Sequence, residues 1–458
     1  MNTLFHPLMV LLAGGVLVEA QEFTLSVKNM TLDESRSCPG GYGGYAMVMT
    51  KVSEVKKAPK AVSASPLYGR MDNAKSERLL FFLDESQGTG KGYDRLVADL
   101  NGNGDLTDDP VFSKLKEGPQ EQNEDYEQAN FGPVELPESK SQGIWRPRFY
   151  ADMYLYNKRE LKSASTEERH IGQIRIMTAS LLETTVEVNG IKQKFGVVDG
   201  NCNFSLPDPA TVTTIHRRPN DPGSWYLMPG DFYVRDMNGS GIYDRTATES
   251  DAQIFSSVVY FKGKPFFARL SQDLKGIRFE PYTGATGQIS VKEGVDSIIL
   301  GWQGGAGAWD GLTPDIIEGK AEVPAGAYRI SSFTLTGKKT ASDWIKTTSR
   351  ELPEKSYAVA TGKIVRLDVG CPLVVEVSAN KEIDNQGRES SLMGAARSLF
   401  GGGSSKATIL RLDVVVLGAA GERYSGFFGS AGGYVPPPRF EIKDSTGKEL
   451  ASGNFEYG

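Results

Sequence analysis

The sequence predicts a mainly β, multi-domain protein of antiparallel sheets joined by Asp/Asn-rich loops and ending in a β-sandwich. Three observations lead there. Short runs rich in β-branched and aromatic residues, bounded by Gly, Pro, Asn or Asp, recur along the chain. Helical periodicity is scarce. From residue 287 onward eight such runs follow one another over about 170 residues, the spacing of two packed sheets.

The 458 residues are 39% hydrophobic and 24% charged, an ordinary globular balance that excludes a disordered tail protein. At roughly 100 to 200 residues per domain the length predicts about three domains. They are placed at 21–140 (an N-terminal β-rich region), 141–286 (a middle β-rich domain) and 287–458 (the sandwich). Residues 1–20 read as a secretory signal peptide: an apolar run from Leu8 to Val18, then Val18-Glu19-Ala20, with cleavage after Ala20, although no Lys or Arg precedes the run. The mature protein is then expected to be secreted, periplasmic or on the cell surface. No later stretch approaches the roughly 20 apolar residues of a membrane span, so no transmembrane segment is expected. The formal charge of −6, with no long basic run, argues against a nucleic-acid partner. Three cysteines, Cys38, Cys202 and Cys371, allow at most one disulfide.

In chain order, Arg78 to Leu83 is a strand, Lys114 to Ser141 is a polar, proline-punctuated surface connection or domain boundary, and Arg148 to Tyr156 and Ile171 to Met177 are strands. Thr184 to Val188 and Ile191 to Val198 flank Asn189-Gly190, the dipeptide a type I′ hairpin turn selects. The C-terminal strands are Ser297 to Leu300, Tyr328 to Leu335, Tyr357 to Ala360, Ile364 to Val369, Leu373 to Ser378, Ile409 to Leu417, Arg439 to Lys443 and Leu450 to Tyr457. Between two of them Ser391 to Phe400 has the pattern of a short amphipathic helix. Val323-Pro-Ala-Gly-Ala-Tyr-Arg-Ile330 resembles the entry strand of carboxypeptidase-regulatory-like and other immunoglobulin-like modules, which implies an immunoglobulin-like C-terminal β-sandwich.

One short pattern occurs three times: Asp99 to Asp109, Asp199 to Asp208 and Asp236 to Asp244. Each reads D-x-N-x-[NS] with an apolar residue at the eighth place, and each follows a strand-like run. Side-chain oxygens at places 1, 3 and 5 and a carbonyl at 7 can surround one hard cation when the chain turns at 6, which makes calcium the expected ion. The ligand candidates are Asp99, Asn101, Asn103, Asp105, Asp108 and Asp109 in the first loop. In the second they are Asp199, Asn201, Asn203 and Asp208, and in the third Asp236, Asn238, Ser240 and Asp244. The loops resemble those of EF-hand, dockerin and related D-x-N-x-[DN]-G repeats of secreted bacterial proteins. That resemblance implies side-chain ligation by Asp99, Asn101 and Asn103, a carbonyl from Asp105 and a turn at Gly104. Where the family carries a bidentate Glu this chain has Pro110, so Asp108 or Asp109 must supply the carboxylate, and no flanking helices are evident. The second loop has Phe204 in place of the turn glycine, which disfavours a positive φ. The same residues also suit ordinary Asx-turns that need no ion.

Only His170 and His216 follow the leader, and the nucleotide-binding and nucleophile-elbow motifs are missing, so no catalytic residue is assigned. Trp302, Trp309, Tyr424, Phe427, Phe428 and Tyr434 suit a sugar-stacking platform or, more commonly, a core. The functional expectation is a non-catalytic, calcium-stabilised secreted β protein with a structural, adhesive or ligand-binding role, its ligand a glycan or cell-surface component. The alternative is a secreted carbohydrate-active hydrolase with structural calcium, because paired catalytic carboxylates leave no local spacing rule.

Overall fold

In the strand Gly44–Met49, Ala46 and Val48 are fully buried while Tyr45 and Met47 are 68% and 44% exposed, the period-two alternation of a sheet with one apolar face. Seven more strands complete the sheet, several of them buried on both faces. The order across the sheet is Val111–Ser113, Arg95–Ala98, Arg78–Asp84, Leu67–Asp72, Gly44–Met49, His170–Thr178, Arg148–Leu155 and Glu127–Glu135, with every neighbouring pair antiparallel. Its two edges then meet. Lys114 bridges Phe131, and the Leu115 amide donates to the Asn130 carbonyl at 2.7 Å, so the meander closes into an eight-stranded up-and-down barrel. At eight strands the interior is just wide enough for side chains to fill it, and Val48, Phe81, Leu96, Phe131, Phe149 and Ile174 do so. The apolar side faces inward, the reverse of a membrane-spanning barrel.

The structure, a computed structural model, describes residues 20–38, 44–72, 78–88, 92–117, 126–156, 169–215, 224–228, 230–237, 239–241, 243, 252–304, 309–340, 343–352, 355–383, 408–429, 433–435, 439–443 and 445–454. The signal-peptide expectation, the helix at Ser391 to Phe400 and the strand end at Phe455 and Tyr457 lie outside them, apart from Ala20. The chain divides into two compact units, 1–210 with 229–284, and 211–228 with 285–458.

Part of the expected connection at Lys114 to Ser141 is instead the barrel strand Glu127–Glu135. Its polar residues suit a surface loop by type, yet they are buried with partners: Glu127 accepts from the Tyr93 amide at 2.6 Å, and Gln128 donates to Asp152 at 3.2 Å. A short helix, Leu32–Ser37, adds to the expected elements, and Thr31 and Glu34 form its capping box, whose spacing is legible in the sequence.

Beyond the barrel, the first unit contains a β-sandwich. A five-stranded sheet (Ala252–Ile254, Phe232–Arg235, Ile191–Val198, Ser180–Val188, Ser26–Asn29) faces a four-stranded one (Gln21–Thr24, Gly276–Pro281, Lys264–Leu270, Val258–Phe261). Phe195 of the first sheet meets Phe279 of the second edge-on at 5.1 Å. The hairpin inside the larger sheet turns at Asn189 and Gly190 with φ of 53° and 71°, as the type I′ reading requires.

The second unit is again β. Seven strands run in the order Trp309–Leu312, Val295–Gln303, Gly326–Thr340, Asp343–Glu351, Arg423–Gly429, Thr408–Leu417 and Val374–Ile383, and two short strands pair on at the side. A three-stranded sheet places Thr286–Ser290 between Lys320–Pro324 and Ile364–Arg366, the latter pair parallel. The mainly β, antiparallel class read from the sequence is the class of the fold.

Phe81 fills the barrel interior with Phe149 edge-on at 6.5 Å. Phe81→Ala should cost about 3–5 kcal/mol in denaturant unfolding; a loss under about 1 kcal/mol would contradict a packed interior.

Candidate functional site

The three repeated loops fold alike. In each, the carboxylate of the first Asp takes the backbone N–H of the fifth place on Oδ1 and that of the sixth on Oδ2. For Asp99 the donors are Asn103 at 3.2 Å and Gly104 at 2.8 Å; for Asp199, Asn203 at 3.2 Å and Phe204 at 2.8 Å; for Asp236, Ser240 at 2.9 Å and Gly241 at 2.8 Å. The fourth and sixth places have positive φ in all three, at Gly102 and Gly104, Cys202 and Phe204, and Gly239 and Gly241. The eighth residue, Leu106, Leu206 or Tyr243, is buried and anchors the loop to the body.

Phe204 therefore adopts the left-handed backbone its residue type disfavours, with φ of 62°. The compensation is packing. Its ring stacks obliquely on Phe149 at 5.5 Å, and Cys202 joins the barrel core with its thiol toward the Ile176 carbonyl at 3.4 Å, so the second loop stoppers the barrel interior.

In the first loop the amides of Asn101 and Asn103 both donate to Asp108 Oδ2, at 3.4 and 3.0 Å, which brings places 3, 5 and 10 together. Asp109 accepts from the Leu100 amide at 3.0 Å with one oxygen, and its other oxygen is buried without a hydrogen-bond partner. Burial, reinforced by the charges of Asp99, Asp108 and Asp105, pushes the Asp109 carboxyl up to about 6. Asp105 turns outward, bonded to Thr107 and paired with Lys57 at 3.1 Å, so its side chain is no ligand.

The second loop repeats the convergence, since Asn203 donates to Asp208. Asn201 accepts from the Asn203 amide at 3.0 Å. It also gains a residue that local spacing could not supply. The register Val198↔Phe232 sets Asp231 beside Asp199, and Asp231 accepts from the amides of Gly200 at 3.3 Å and Asp208 at 2.5 Å. Burial and then the neighbouring carboxylates hold both Asp199 and Asp231 above the ordinary carboxylate range. In the third loop Asp236 is buried and Ser240 follows it at the turn; Asn238 and Asp244 lie outside the described residues.

Among the described residues no three His, Cys, Asp or Glu side chains converge as a complete ligand set. What the first two loops bring together is an Asn amide and the carboxylate at place 10, and the unpartnered Asp109 oxygen fits a hard cation such as calcium, which takes carboxylate and amide oxygens.

A second concentration of polar chemistry lies on the outer face of the barrel, where sheet register aligns Gln128, Tyr154, Gln173 and Met47 in one row and Asn130, Asp152, Arg175 and Tyr45 in the next. The Arg175 guanidinium lies over the Tyr154 ring at 4.3 Å. Asp152, buried and raised by that burial, accepts from the Tyr154 hydroxyl at 2.7 Å and from Gln128 at 3.2 Å. Of the other sequence candidates, none of the three cysteines forms a disulfide, Tyr424 packs edge-on against Phe333 as core, and His170 meets the Tyr156 hydroxyl at 3.2 Å. His216 and the side chains of Phe428 and Tyr434 lie outside the described residues.

Raised carboxylates fix the sign of a pH effect. Asp109, Asp199 and Asp231 hold protons in the fold that the unfolded chain releases near pH 4, so their stabilising contribution is full below that value and is lost as pH rises, through about 6 for Asp109 and about 7 for Asp199. In calcium-free protein the thermal midpoint should fall over this interval, and the fall should shrink in Asp199→Asn; equal slopes in the two proteins would refute the assignment. No protein-family model, curated protein or solved structure matches the chain significantly.

Proposed function

We propose that this chain is a secreted, non-catalytic β protein stabilised by calcium, with a structural, adhesive or ligand-binding role outside the cytoplasm. The observation that carries the calcium reading is the recurrence of one loop conformation at three places of differing sequence, each opened by a buried Asp. An Asx-turn needs one side-chain bond to its backbone. These loops add a further Asn or Ser at place 5 in each and, in the first two, an acid at place 10 bonded to it, at Asp108 and Asp208. Calcium with its six to eight oxygen ligands accounts for that surplus of acceptors.

The binding part of the role is supported by the outer barrel face. Exposed Tyr45, the Arg175–Tyr154 stack and the half-buried amide of Gln173 combine ring faces with hydrogen-bonding groups, the mixture that suits a glycan or other polar cell-surface component.

Isothermal titration of calcium into dialysed protein, with thermal melts in calcium and in chelator, tests the reading. An ion that binds the folded form alone raises the midpoint, by about 2.7 kcal/mol of stability at a hundredfold excess over its dissociation constant. The shift should diminish in Asp99→Ala and in Asp199→Ala. Absence of binding heat together with an unchanged midpoint in wild type would sink the calcium reading.

A further inference from the structure

In the second unit the strand Val374–Ile383 pairs along its whole length with Thr408–Leu417, from Val374↔Leu417 to Ile383↔Thr408 with no register shift. Thr408–Leu417 is tied to the rest of its sheet at two positions, Val416↔Tyr424 and Leu417↔Arg423. Among the described residues no strand lies beyond Val374–Ile383. From Glu376 and Val415 outward the two strands are therefore a two-stranded ribbon, an arrangement marginal at best in water without further strands.

The ribbon's outer edge lacks the usual protection. Natural edges are blunted by proline, bulges or clustered lysine, because a row of unpaired N–H and C=O groups is a template for another strand. Here ten residues contain no proline and one lysine, Lys381. Val374, Val375 and Val377 are 51%, 61% and 60% exposed, and with Glu376 and Ser378 they make five successive exposed residues. Since neighbours in a strand point to opposite faces, apolar groups stand uncovered on both sides.

We propose that this edge pairs with the same edge of a second copy of the chain, antiparallel about a twofold axis between Ser378 and Ala379. In that register Val374 stands opposite Ile383, Val375 opposite Glu382, Val377 opposite Asn380, and Glu376 opposite Lys381, so opposite charges meet twice across the axis. A slip of one residue one way sets Glu376 against Glu382, and the other way sets it against Asn380, so charge selects the register. Two marginal ribbons then become one four-stranded sheet, which covers the unpaired backbone and the exposed valines together.

Sedimentation equilibrium of the full chain over a wide concentration range tests this, with far-UV circular dichroism to confirm the fold of each variant. Wild type should dimerise. Glu376→Lys and Lys381→Glu, each placing like charges opposite at two symmetric positions, should each weaken the dimer about tenfold, and the double exchange E376K/K381E should restore it to within about twofold. Val374→Lys/Val377→Lys, which sets lysines opposite Ile383 and Asn380, should abolish it with the monomer's spectrum unchanged. A wild type that stays monomeric throughout, a dimer indifferent to both single exchanges, or a dimer that the double exchange fails to restore would each overturn the proposal. Should one single variant not fold, the other carries the same comparison.

Discussion

An antiparallel meander of eight strands leaves two edges whose backbone groups must find partners, and the contact of Lys114 and Leu115 with Phe131 and Asn130 is where they do. Much of the first unit depends on that closure. It fixes an interior filled by aromatic and aliphatic side chains, and it leaves an open end. The second repeated loop fills that end with Cys202 and Phe204. A residue that looks like a defect in the loop is thus a stopper for the barrel, and the contact free energy of a large ring in a core offsets the cost of its backbone conformation.

The outward face follows from the same closure. With the inward positions mostly apolar, the alternate positions carry polar chemistry, and register alone lines up Asp152, Tyr154 and Arg175 on adjacent strands. Burial at one edge of this face explains why Asp152 is held above the ordinary carboxylate range while the Gln128 amide and the Tyr154 hydroxyl favour its charged form: desolvation outweighs them.

What was legible in the sequence was local. Short β-rich runs bounded by turn residues marked strands such as Arg78–Asp84 and Ile191–Val198, Asn189-Gly190 marked its hairpin, and the D-x-N pattern marked three loops that fold alike. Non-local pairing was not legible. Glu127 and Gln128 look like loop residues until the Tyr93 amide and Asp152 are found beside them, and Asp231 reaches Asp199 through a strand register more than thirty residues long in sequence. The capping box at Thr31 and Glu34 was a local signal of another kind, legible but short.

The loops' shared conformation bears on what an ion would contribute. Each loop is already held by its first Asp, whose two oxygens satisfy two backbone N–H groups, so calcium is not required to set the turn. Its effect must come from the carboxylates that the turn gathers. In the first loop these are partly solvated, and Lys57 already neutralises Asp105. In the second, Asp199 and Asp231 are buried side by side with Asp208 near them, where water screens least and like charges cost most. Counting acids and turn glycines ranks the first loop ahead of the second. For the proposed ion burial weighs toward the second loop, because neutralising charges gains most where they are least able to turn to solvent, and the residue that adds this weight, Asp231, lies outside the repeat altogether.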